Sequence, residues 1–145
     1  NYMPTYPTAN IYPIFPGSPV IGRARLSAAV TASNGSGSLT TLLTAGASGS
    51  RVDYITFTNS QLAMAASSAM VGKVFLSNTA AADPYIIAEV AIATVTRSAT
   101  AVGATQTITF AGGLVIPSGS VISVAQSVYA GAQDQFDVIA RGGHY

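Results

Sequence analysis

The chain has 145 residues, about one domain's worth, and carries a net charge of +1 with no cysteine. Cysteine absence removes disulfides, a thiolate metal site and a cysteine nucleophile. The six basic residues are scattered, with only Arg23 and Arg25 close together, which argues against nucleic acid as a partner.

Charged residues make up 8 % of the chain, against about 25 % in a typical soluble domain. A surface of Ala, Ser, Thr and Gly with so few charges suits a protein packed against copies of itself or against other subunits. The most apolar run, residues 86–95, is short and contains Glu89, so no transmembrane helix and no membrane partner are expected. The first residues lack a basic segment followed by an apolar one, so no signal peptide is expected either.

Residues 1–21 form the first unit. Pro4, Pro7, Pro13, Pro16 and Pro19 lie here among Tyr2, Tyr6, Tyr12 and Phe15, with no charge before Arg23. Proline fixes φ and removes a backbone donor, so the stretch is neither a helix nor a central strand. An extended, polyproline-like arm is expected. A solvated linker would not carry so many large apolar side chains. Tyr2, Tyr6, Tyr12, Ile14 and Phe15 are therefore expected as anchors that grip a neighbouring subunit. Twenty extended residues reach roughly 60 Å, further than one small domain is wide.

Residues 22–145 read as a single β domain. Residues 23–32 and 38–44 are the first two strand candidates, separated by Asn34-Gly35-Ser36-Gly37, which has the chemistry of a hairpin turn. Residues 51–59 are the clearest strand. Alternation puts Asp53, Ile55 and Phe57 on one side and Val52, Tyr54, Thr56 and Thr58 on the other. Residues 60–70 read as a loop with at most one helical turn. Residues 71–77 form the next strand. Residues 85–97 form a long one, with Ile86, Ala88, Val90 and Ile92 on a common face. Residues 105–110 alternate until Gly112-Gly113 breaks the pattern. Pro117-Ser118-Gly119 is a tight turn. Residues 120–128 alternate again, with Ile122, Val124 and Val128 apolar and Ser123, Ala125 and Ser127 opposite. Residues 136–140 are the last strand. About eight short strands with turns between them predict an all-β fold: an antiparallel β-sandwich of jelly-roll or Greek-key type, preceded by the proline- and aromatic-rich arm.

No residue group in the β domain supports catalysis, and the chain is not expected to be an enzyme. His144, the only histidine, is second from the end and reads as a solvent or interface residue without a positioned partner. A glycosidase would need two carboxylates facing each other across a cleft. Asp134 and Asp137 are close in sequence but straddle a turn and a strand start, as a turn cap and a solvated strand residue. Val71-Gly72-Lys73 lacks the glycine loop and the Ser/Thr of a phosphate-binding motif. No Asp-rich spaced loop offers an oxygen-only metal site. No metal and no cofactor are expected.

Several segments together carry a resemblance. They are Gly49-Ser50-Arg51-Val52-Asp53-Tyr54-Ile55, Gly72-Lys73-Val74-Phe75-Leu76-Ser77-Asn78, Ile87-Ala88-Glu89-Val90 with Ser98-Ala99-Thr100, and Gly113-Leu114-Val115-Ile116-Pro117-Ser118-Gly119. The end of the chain, Arg141-Gly142-Gly143-His144-Tyr145, is similar to a Gly-Gly-Asp-Tyr type ending, with His144 in place of the acidic residue. Over residues 22–145 the chain resembles a group of small structural proteins of tailed bacteriophages, found as head or tail components. The resemblance implies a virion protein, with a capsid cement or decoration subunit on the capsid exterior as the leading expectation. Its partners would be the major capsid protein or other virion subunits, and a homo-oligomer, with a trimer favoured, would present the arms. Two alternatives stand beside it. One is a tail, baseplate or fibre-associated subunit. The other, from a different class, is a carbohydrate-binding module, which would need an exposed aromatic platform on the β domain.

Overall fold

The computed structural model describes residues 16–61, 64–78 and 83–145. The described residues form eight strands: β1 (Ser18–Leu26), β2 (Thr40–Thr44), β3 (Ser50–Asn59), β4 (Met70–Ser77), β5 (Tyr85–Ile92), β6 (Thr105–Ile116), β7 (Val121–Gln126) and β8 (Phe136–His144). One turn of 3-10 helix, Ala132–Asp134, precedes β8. The strands make two antiparallel four-stranded sheets, here sheet 1 in the order β1-β8-β3-β6 and sheet 2 in the order β2-β7-β4-β5. The two layers are consistent with the expected β-sandwich. Between them lies a core that includes Ile55, Phe57, Val74, Ile122, Val124 and Phe136, none of which is exposed to solvent. Burying each such side chain contributes about 1.5–3 kcal/mol.

The first strand begins before residue 22. Residues 18–21 pair with residues 141–144 of β8, so the sheet takes in four residues that the sequence reading gave to the arm. Pro19 is compatible with this because β1 is an edge strand, where a missing N–H need not be paired.

Asn34-Gly35 is a turn, but it closes no hairpin, because β1 and β2 lie in different sheets. Asn34 Oδ1 accepts the Ser36 N–H at 3.1 Å and the Ser36 hydroxyl at 2.7 Å. Gly35 has φ 84°, and a Cβ there would sit 2.4 Å from the Pro84 carbonyl oxygen. The turn thus packs face-on against the start of β5.

Strict alternation in β3 also fails. Val52 is fully buried with Ile55 and Phe57, while Asp53 turns outward. Residues 110–113 of β6 stand opposite Asp53 alone, and β8 has no residue opposite it. Asp53 is a bulged residue, which shifts the side-chain phase by one. Gly112 and Gly113, with φ 75° and 83°, supply the backbone of the bulge on β6. They bend that strand instead of ending it.

Sheet 2 differs from expectation on its outer side. Every residue of β7 is buried, on both faces. Residues 27–39 cross the outer face of this sheet, where Val30 packs with Phe75 and Ala125, and Leu39 and Ile86 close the cluster. Ile86 belongs here and not with Ala88, Val90 and Ile92, because Ile87 is bulged out between Ile86 and Ala88 in the pairing with β4. The strand ends at Ile92, short of residue 97. The last strand instead runs on through Gly142 and Gly143 to His144. Gly142 allows this close approach, since a Cβ there would fall on the Arg51 carbonyl. The described part of residues 60–70 contains no helix.

Candidate subunit interface

Three rows of four residues, each set by strand register, make up most of the outer face of sheet 1, and a fourth, Pro19, Gly143, Arg51 and Val115, continues it past the Asp53 bulge. The first row is Ile21, Arg141, Tyr54 and Thr109. The second is Arg23, Ile139, Thr56 and Thr107. The third is Arg25, Asp137, Thr58 and Thr105. Alternation explains their common orientation, as the intervening residues, among them Leu26, Ile55, Phe57 and Val138, are buried in the core. Most of the grid is exposed, and Ile21 keeps 58 % of its surface in solvent.

The face is positively charged. In the three rows three arginines stand against one aspartate, a net of +2, and the Arg51–Asp53 pair beside them adds none, leaving a net of −1 for the rest of the chain's charged side chains. Arg25 clasps Asp137 in a two-pronged cross-strand pair, Nε to Oδ1 at 2.7 Å and Nη2 to Oδ2 at 2.9 Å. Its hydrogen bonds hold the Asp137 carboxyl below its ordinary range, against the opposing effect of burial. Arg23 and Arg25 flank a shallow groove of about 390 Å³ that Asp137 and Ile139 also line. On the neighbouring strands the threonines form a ladder, with the Thr56 and Thr107 hydroxyls 3.0 Å apart. These are flat, hydrogen-bonding side chains with little rotamer entropy to lose on contact.

The chain enters this face at its β1 edge. Pro16 lies against the backbone of Gly143, where an added Cβ would be 2.4 Å from the proline's own. The proposed anchors Tyr2, Tyr6, Tyr12, Ile14 and Phe15 lie outside the described residues, on the chain that leads into this point.

Three polar clusters elsewhere act as internal braces. The first joins Ser50 and His144. Ser50 Oγ accepts the Gly46 N–H at 2.9 Å and lies 2.5 Å from His144 Nδ1. The imidazole rests on Gly46, where a Cβ would be 2.9 Å from the ring. A serine–histidine contact has the residue types of a nucleophile and its base. Ser50, however, has no exposed surface. The contact pins the end of β8 to the β2–β3 loop, with the Tyr145 N–H donating to the Gly49 carbonyl at 3.2 Å. Sequence spacing gave no signal for it, because the partners are 94 residues apart.

The second brace is Asp134, which is fully buried. Its carboxylate accepts the Ser68 N–H at 2.6 Å, the Ser68 hydroxyl at 2.8 Å and the Ala130 N–H at 2.7 Å. Charge-assisted bonds of this kind compensate the loss of water. Asp134 and Asp137 do not converge, since one is inside the fold and the other is on the face of sheet 1. The third brace is Lys73, whose ammonium donates to the Thr31 and Ala32 carbonyls at 2.7 and 3.3 Å and to Ser33 Oγ at 3.0 Å. Ser33 Oγ donates in turn to Glu89 Oε1 at 3.2 Å. The chain of contacts ties the covering segment to sheet 2.

Among the described residues no group of three or more His, Cys, Asp or Glu side chains could hold a metal ion. No helix of the described residues is long and apolar enough to cross a membrane. No protein-family model matches the chain, and no curated protein or solved structure matches it.

Proposed function

We propose that this is a non-enzymatic virion structural protein, a capsid cement or decoration subunit on the capsid exterior. In this role it bridges neighbouring capsid subunits through residues 1–15 and the bare face of sheet 1. The observation that carries the reading is the pairing of that face with the point where the arm joins it. A grid of Thr, Arg, Ile and Tyr stands open among the described residues, and an uncharged, aromatic segment precedes its β1 edge in the sequence. Rigid strands hold the grid, and the segment supplies reach. The net positive face suits an acidic outer surface on the neighbouring subunit. A symmetric homo-oligomer, a trimer in the leading form, would present several such faces and arms at once, multiplying weak contacts by avidity.

We read the fold as a jelly roll. The orders β1-β8-β3-β6 and β2-β7-β4-β5 support this, since they are what results when a chain of eight strands is folded back as a long hairpin and wrapped into two four-stranded layers. That architecture serves capsid and lectin domains alike, so the functional reading rests on the face and the arm.

Deletion of residues 1–15, which leaves β1 intact, is the test. Full-length protein should bind capsids and raise their resistance to heat, and the truncated chain should bind at least tenfold more weakly. Equal decoration by both chains overturns the role of the arm.

One observation favours the carbohydrate-binding reading as a second possibility. Tyr85 keeps 72 % of its surface exposed beside a cleft of about 420 Å³ that Asn34, Ser36 and Asp83 also line. A single exposed ring is a smaller platform than a stacking surface for a glycan chain needs. Affinity of the isolated protein for an oligosaccharide, lost in Tyr85→Ala, would establish this reading over the first.

A further inference from the structure

The four sheet edges are not alike. On one side of the sandwich β1 and β2 close against each other: a Cβ on Gly22 would lie 2.4 Å from the Leu42 carbonyl oxygen. These strands are also guarded. β1 carries Pro19, Arg23 and Arg25, and β2 has only five residues with an irregularity at Leu42. Proline, charge, brevity and bulges are the devices that stop edge strands from pairing with other chains.

The other side has few such devices. β6 is bent by its double-glycine bulge but runs through residues 105–110 with no proline and no charge. β5, which lies across from it in sheet 2, has eight residues, Tyr-Ile-Ile-Ala-Glu-Val-Ala-Ile, with no proline, glycine, lysine or arginine; its devices are one bulge, at Ile87, and one charge, Glu89, which accepts a hydrogen bond from Ser33. Among the described residues nothing pairs with its second edge. Exposed apolar side chains gather on the same side. Tyr85 and Ile87 are on β5, Val115 is on β6, and Val102, 85 % exposed, precedes β6. Unpaired backbone groups and exposed apolar side chains thus coincide along one edge of the molecule.

We infer that β5 is a self-association edge, where a second copy of this chain adds its own β5 in antiparallel register about a two-fold axis. The occupant follows from the edge itself. An antiparallel pair of identical strands is isologous, so a single edge supplies both halves of the joint. With the axis normal to the sheets, β6 of each copy approaches its counterpart in the other layer, and Val102 and Val115 flank the seam. Eight residues give an edge about 27 Å long, and a sandwich with its side chains is about 20 Å thick. The joint therefore buries roughly 500 Å² per copy and about 1,000 Å² in total, the lower limit for a specific interface. A reversible dimer in the micromolar range is the expected form. The joint does not depend on the capsid reading: it joins copies of the free protein, apart from the oligomer that presents the arms, residues 1–15 take no part, and only the β6 margin of sheet 1 lies near it.

Sedimentation equilibrium of the full chain across the micromolar range tests it, with Ile87→Lys and Ala91→Lys on the open edge and Thr41→Lys on the guarded side as a matched control. Circular dichroism establishes that each variant is folded. All three positions have exposed side chains, so folding should be retained. The wild type and Thr41→Lys should show a monomer–dimer equilibrium with the same dissociation constant, and both β5 variants should weaken it by at least tenfold. A wild type that stays monomeric, or a dimer unaffected by the folded β5 variants, overturns the proposal. So does a dimer abolished by deletion of residues 1–15 while both β5 variants retain it, since the arm would then be the element that joins the copies.

Discussion

Residues 27–39 roof the outer face of sheet 2, whereas the outer face of sheet 1 lies open among the described residues. The two faces share strand geometry and differ in side chains. Beneath the roof Phe75 and Ala125 meet Val30, and Lys73 fastens the roof to the sheet through backbone carbonyls. On the open face stand five threonines, three arginines and a few half-exposed apolar side chains. One face completes the fold. The other presents a polar surface, which the proposed function assigns to a neighbouring subunit.

This contrast can be broken by substitution. The largest effect is expected from Phe75→Ala, which empties the smaller core beneath the roof. It should cost about 3–5 kcal/mol in urea unfolding. A loss near zero would mean that the roof contributes nothing to the fold. Lys73→Met should come next. It removes the donor to Thr31, Ala32 and Ser33 and should cost about 1–3 kcal/mol, with faster hydrogen exchange confined to residues 27–39. Exchange that rises evenly across both sheets would contradict a local fastening role.

Acid should act on the open face, and only weakly. The Arg25 partner lowers the Asp137 pKa in the folded state. The pair's contribution is therefore complete above the unfolded carboxyl's pKa of about 4 and is lost as the pH falls through the lower folded value. Both side chains are partly solvated, so the loss should be smaller than either core effect. Asp137→Asn should flatten that part of the pH profile; an unchanged profile would show that the pair adds nothing to stability. The smallest effect is expected from Thr107→Ala, within about 0.5 kcal/mol of wild type. Its consequence should appear in binding to a partner surface instead.

The layout of strands was legible because turns punctuate this chain so clearly, and β7 and the core positions Ile122 and Val124 follow directly from alternation. What alternation missed has local causes. Asp53 reads as inward until its bulge is known, and Val52 reads as outward for the same reason. Gly112-Gly113 looks like a stop, but double glycine is equally what a bulge needs. Ser123 and Ala125 look like a solvent face because nothing in their own strand announces that residues 27–39 lie over it. Asp134, Lys73 and the Ser50–His144 contact are buried through long-range partners, which spacing along a chain does not encode. The candidate interface was half visible: Arg23-x-Arg25 and the alternating threonines were on the page, but only strand register places them in one grid.

Electron cryo-microscopy of the capsid that the proposed function assigns to this protein, decorated with the full chain, bears most directly on the proposal that sheet 1 and the arm form its contact surface. The account expects Ile21, Tyr54 and Ile139 to face a neighbouring subunit, with residues 1–15 lying across a joint between capsid proteins. A particle in which the outer face of sheet 1 points into solvent, with contacts made through the roofed side of sheet 2, would contradict it.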